Sequence, residues 1–198
     1  YEISECLVGS EMCIRDRLSS VSIDDEKAGE TIVDYLIEHG HTKIAEIGAN
    51  LELSQTARLR HNGYLNSLKK HGITPDERYY ERARFSYDSA YRAMKKLLEK
   101  DIEITAVYAI SDVMAIGALR AILDKGLRVP EDISITGFDG STLAEYYNPK
   151  IVSIRQPHKD MAARSVELLF NMIDLHKGSC HEIIPFELTE GESVARID

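Results

Sequence analysis

Ser111, Asp112 and Asp139 fall where a strand pattern gives way to the next element, Phe85 is an aromatic in the same kind of position, and Arg60 lies on a neighbouring helix. This set suits a polyhydroxylated ligand. Planar polar side chains hydrogen-bond adjacent hydroxyls, and an aromatic ring covers the apolar face of a sugar. An arginine beside a carboxylate also makes a bidentate, strongly orienting pair. Each residue has a plainer reading as well. Ser111 and Asp112 open a helix, where either side chain caps it. Asp139 lies in a turn, where aspartate is common. Arg58 and Arg60 share one helix, and Arg60 is the one assigned to the ligand.

Catalytic arrangements are not evident. There is no G-x-S-x-G elbow, no phosphate-binding G-x-x-x-x-G-K-[ST] loop and no H-E-x-x-H pair. His39 and His41 flank Gly40 and read as a helix C-cap, where imidazolium opposes the dipole, rather than as metal ligands. His158, His176 and His181 are scattered, and Asp24, Asp25 and Glu26 read as capping and solvated acids. The expectation is a binding protein rather than an enzyme, with no metal and no cofactor.

The elements that must carry these residues alternate. Ile32, Val33, Tyr35, Leu36 and Ile37 form a helical stripe closed by Gly40. Residues 43–48 form a short buried strand. Residues 54–71 form a helix with Leu59, Tyr64, Leu65 and Leu68 inward, stopped by Gly72. A strand over 81–85 and a helix over 89–99 follow. Residues 105–109 and 133–137 are nearly continuous apolar runs, as in parallel strands buried on both faces. A helix over 113–125 separates them. Residues 151–156 are extended, and 161–176 form a helix with Ala162, Val166, Leu168, Leu169 and Ile173 apolar. Residues 183–188 form a last strand, with another suggested over 192–196. This order predicts an open, mostly parallel α/β sheet with helices on both faces. Ligands then bind beyond the carboxyl ends of the strands.

The chain has 198 residues, room for one domain and a fraction, and no apolar run reaches the roughly 20 residues that span a bilayer. A net charge of −9 repels phosphate backbones, so any DNA contact is expected to come from outside this chain. Cys6, Cys13 and Cys180 have neither C-x-x-C nor zinc spacing and read as free thiols in a reducing cytoplasm. Residues 1–17 have no helical or strand period and are expected to be non-native or unstructured, leaving 18–198 as the folded region.

Several segments, in order, resemble the lactose/galactose-repressor family of transcription regulators. Tyr35-Leu36 followed by Gly40-His41-x-x-Ile44-Ala45 is similar to its "YL…GH..IA". Arg60-x-x-Gly63-Tyr64 resembles "R..GY", and Ser111-Asp112-x-Met114-Ala115-x-Gly117-Ala118 resembles "SD.MA.GA". The most specific match is Val129-Pro130-Glu131-Asp132-Ile133-Ser134-Ile135-x-Gly137-Phe138-Asp139, with Gln156-Pro157 and Glu190-x-Glu192-Ser193-Val194 completing the order. The resemblance implies a two-lobed periplasmic-binding-protein-like (type I) fold around a sugar cleft. By position, Arg60 and Asp139 become polar anchors of the effector, Ser111 a hydroxyl contact, Phe85 an aromatic wall and Gln156 a cleft residue near the hinge. Ile116 and Tyr147 become homodimer-interface positions. It also implies that this chain is mainly the second lobe, with 151–160 crossing toward a first lobe that is truncated here. Operator DNA is then bound only through a headpiece absent from this chain. The alternative is the sugar-binding protein of a transport system.

Overall fold

The computed structural model describes residues 19–175 and 180–197. Expectations for residues 1–17 and for His176 lie outside the described residues. The chain divides into two compact units: Tyr1–Asp24 with Gln156–Phe186, and Asp25–Arg155 with Glu187–Asp198.

The larger unit is a six-stranded sheet. Its strands in chain order are β2 (Ile44–Gly48), β3 (Tyr80–Arg82), β4 (Ala106–Ala109), β5 (Ser134–Asp139), β6 (Val152–Arg155) and β8 (Glu187–Thr189), and their spatial order is β3-β2-β4-β5-β6-β8. All pairings are parallel except β6 with β8. The helices are α1 (Asp25–Glu38), α2 (Gln55–Lys70), α3 (Tyr87–Glu99), α4 (Asp112–Asp124) and the short α5 (Thr142–Tyr146). From β2 the chain first steps outward to β3, then returns past β2 to β4 and onward. With right-handed crossovers, that reversal puts α2 on one face and α3 and α4 on the other. The crevice between the carboxyl ends of β2 and β4 is therefore the topological switch point.

Local chemistry accounts for the boundaries. Ser54, Ser86, Ser111 and Ser141 each accept a backbone N–H three residues on, capping α2, α3, α4 and α5. Gly40, Gly72 and Gly126 end α1, α2 and α4 with positive φ. Helices α1 and α2 cross closely. A Cβ on Gly63 would lie 2.2 Å from the Glu26 carbonyl oxygen, and one on Gly29 would lie 2.7 Å from that of Arg60.

The smaller unit pairs β1 (Ser20–Ser22) in parallel with β7 (His181–Ile183) and carries α6 (His158–Leu175). Arg164 grips Glu182 through Nε and Nη2, and Ser19 Oγ reaches Met172 at 3.1 Å.

Two expectations are corrected. Residues 183–188 are not one strand: β7 and β8 lie in different sheets, separated by a non-strand stretch at 184–186. Residues 192–196 are not a strand, although Ser193 is fully buried and bonds Ile135 and Val152. In α6, Leu168 is buried, but Val166, Leu169 and Ile173 are exposed. The helix α5 was not anticipated.

Candidate functional site

Arg60 is the hub of the rim. Position 60 of α2 is buried while Arg58 is exposed, so only Arg60 turns its guanidinium into the unit. Its Nε donates to Asp25 Oδ1 at 2.8 Å, and its Nη1 donates to the Ile110 carbonyl at 2.6 Å. Asp139 Oδ1 lies 3.5 Å from Nη1. The guanidinium plane sits 3.5 Å from the centroid of the Phe138 ring, a cation–π contact. These partners come from α1, the residue that follows β4, and β5, so one side chain spans the switch point. Arg60 is thus fixed on three sides by protein groups.

Asp139 is the more accessible member, with 31% of its side chain exposed against 5% for Arg60. It closes β5 with φ at 113°, a region L-residues rarely adopt, and Gly140 follows at 64°. Such strain persists only when the surroundings enforce it, and it clusters at binding sites. Asp112 supplies the enforcement. Its carboxylate accepts the Ser141 amide and the Ser153 hydroxyl, each at 2.6 Å, while Ser153 Oγ accepts the Gly140 amide at 3.1 Å. Burial pushes the Asp112 carboxyl up despite these bonds. The same carboxylate occupies the space a Cβ on Gly137 would need, 2.3 Å away.

Ser111 takes its plainer role. It is buried, and its hydroxyl accepts the Met114 amide at 3.3 Å. Phe85 is 49% exposed and lines a hollow of about 510 Å³ with Asn50, Leu53, Arg82 and Arg84, beyond the ends of β2 and β3. Gln156 belongs to the smaller unit, where its carbonyl accepts the His158 amide at 2.8 Å. Ile116 keeps 7% of its surface and offers a partner little, since its own unit already encloses it; Tyr147 is half-buried. The exposed apolar groups near it are Leu143 and Tyr146. His39 bonds the Tyr35 carbonyl, and buried His41 lies between Thr105 Oγ1 and the Ala195 carbonyl. Among the described residues, no helix is long and apolar enough to cross a membrane.

Sequence reasoning missed Asp25, the Ile110 carbonyl and Phe138 as partners of Arg60. Phe138 stood beside Asp139 in the most specific motif, which was the available signal. Asp25 gave none, because its partner lies 35 positions away.

Residues 33–194 match the periplasmic binding protein-like domain family. The transcriptional regulator MalR of Clostridium butyricum is 41% identical over 179 residues, 90% of this chain and 53% of the relative. A transcriptional regulator CelR–cellobiose complex superposes with a TM-score of 0.85 at 34% identity, covering 90% of this chain and 54% of that one. A LacI-family regulator from Enterococcus faecium with bound ribose gives 0.83 at 26% identity, covering 91% and 67%. The chain spans about half the length of the curated relatives it matches. Those relatives are transcriptional regulators, which favours that expectation over a transport protein.

Proposed function

Because the chain belongs to the periplasmic-binding-protein-like domain family and matches the ligand-binding half of LacI-type regulators, we propose that it senses a small sugar for a bacterial transcription regulator. The observation that carries this reading is the Arg60–Asp139 pair at the switch point, with a strained, half-open carboxylate above a guanidinium already fixed by protein. A carboxylate accepting from adjacent hydroxyls is the usual anchor of a pyranose ring, and Phe85 offers an exposed apolar face in the hollow beyond the ends of β2 and β3. The protein is not an enzyme in this reading. It works as a cytoplasmic homodimer that meets operator DNA through a segment outside this chain. A sugar that binds one arrangement of the full protein better than another shifts its DNA affinity by that difference.

The test is calorimetric titration of the full-length protein, and of its Asp139→Ala variant, with a panel of mono- and disaccharides. The expected result is binding by the parent and at least tenfold weakening in the variant, about 1.4 kcal/mol. Failure of well-folded protein to bind any sugar refutes the assignment.

A further inference from the structure

Helix α2 presents a second face to a different space. Arg60 faces the rim, while His61, about 100° further round the helix, faces a groove of about 930 Å³ between α2, the turn after it and the edge strand β3. His61, Leu65 and Lys69 recur every fourth residue along one wall, and Ile73, Pro75 and Tyr80 form the other. Tyr64 and Tyr80 also face it. Their hydroxyls are bonded to the Ile44 carbonyl at 2.9 Å and the Ala49 carbonyl at 2.7 Å, so they present ring surface.

Behind His61 stands a carboxylate that the fold does not otherwise use. Glu46 lies in the fully buried strand β2 with no exposed surface. Its Oε2 is 2.6 Å from His61 Nδ1, and its Oε1 has no hydrogen-bond partner. A buried carboxylate is costly unless its charge is matched. Two protons on the pair make it electrically neutral; with one of them in the Oε2–Nδ1 contact and none on the partnerless Oε1, the other is on His61 Nε2. A single proton leaves an uncompensated buried charge. Burial raises the Glu46 carboxyl, and Glu46 in turn holds the imidazole proton more tightly. Among the described residues, Nε2 has no partner. The groove is thus apolar, with a hydrogen-bond donor at its wall backed by a buried acid. Lys69 adds positive charge on the same helix stripe and has no ion-pair partner among the described residues. Asp76 is already held by Arg78, whereas Glu77 disfavours a second anionic group on an occupant.

We propose that this groove is a second ligand site, taking a small amphipathic monocarboxylate whose anionic end accepts from His61 Nε2 and whose apolar body lies against Leu65, Ile73, Pro75 and Tyr80. It stands apart from the sugar assignment, since none of the rim anchors lines it.

The test is an NMR titration of the isotope-labelled chain with phenylacetate, against phenylacetamide and acetate as controls. His61 ring nitrogens and the Ile73 methyls shift saturably with phenylacetate, and the amide and acetate each bind at least tenfold more weakly. Lys69→Glu, an exposed change, weakens phenylacetate severalfold, and His61→Gln removes the preference for acid over amide. If His61→Gln fails to fold, the acid–amide comparison and Lys69→Glu carry the test. The proposal is overturned if phenylacetate gives no saturable shift up to about 10 mM, beyond the weak millimolar range of small ligands. It is also overturned if the amide binds as well, or if the shifts centre on Asp139 and Phe85. A sugar titration that moves Asp139 and leaves His61 still reports the rim alone, so the two readings fail separately.

Discussion

Replacing Asp25 by Asn removes one charge and almost no volume from the contact that fixes Arg60. The Nε–Oδ1 distance is 2.8 Å, and the two side chains are 5% and 12% exposed. Breaking a buried pair by removing one partner costs about 3–5 kcal/mol, and a hydrogen bond to a charged group is worth about 1.5–3 kcal/mol. The lower end applies here. The Asn amide oxygen still accepts from Nε, and the Ile110 carbonyl and the Asp139 carboxylate still face Nη1. The expected loss is about 2 kcal/mol, read as a lower urea midpoint at unchanged slope. Sugar affinity of the full-length protein falls with it, because the guanidinium no longer has one fixed orientation. In a double-mutant cycle with Arg60→Lys, the two losses are coupled by at least about 1 kcal/mol. A loss below about 0.5 kcal/mol, the ordinary scatter of surface substitutions, refutes the ion pair as the element that positions Arg60.

Three more outcomes follow from the same geometry. Asp139→Gly relieves the positive φ and so leaves thermal stability unchanged or raised, while calorimetry shows sugar binding lost; a marked drop in Tm contradicts the strain argument. Gly63→Ala drives a methyl into the Glu26 carbonyl and destabilises the α1–α2 crossing by about 1–3 kcal/mol in urea denaturation; a neutral result means the helices part freely. Glu46 and His61 both hold protons more tightly folded than unfolded, so their contribution to stability falls as pH rises above the ordinary carboxyl value and on through the folded imidazole value. Glu46→Gln cannot titrate and releases His61, so denaturation at about pH 5 and about pH 8 shows the variant gaining on the parent at the higher pH. A pH-independent difference contradicts the raised carboxyl.

The parts of the fold readable from sequence are those with short-range causes. The Ser111 cap, the glycines after α1, α2 and α4 and the apolar runs of β4 and β5 each act within a few residues. Arg60 was separable from Arg58 because a helix buries one side. The unread parts depend on distant partners. Asp25 looks like a capping acid until α2 brings Arg60 to it. Glu46 sits in a run that reads as an apolar strand, and nothing local reveals that His61 meets it. The run at 183–188 reads as one strand only across Pro185, which cannot donate to a ladder, and its two ends pair with β1 and β6, which belong to separate units. Helix α5 spans five residues, too few for a period to register.

Glu187–Thr189 closes a sheet whose neighbouring strand left the ribosome 32 residues earlier, counting from Arg155 to Glu187. At synthesis rates of about 5–20 residues per second, β6 waits roughly two to six seconds as a bare edge. Ser153 is the residue most affected. Its amide and carbonyl are later met by the Thr189 hydroxyl, and its own hydroxyl ties Asp112 to the turn bearing Asp139. The rim therefore acquires its final backbone only after Thr189 has emerged, and a nascent chain stalled before Thr189 exposes a strand open to pairing with another chain.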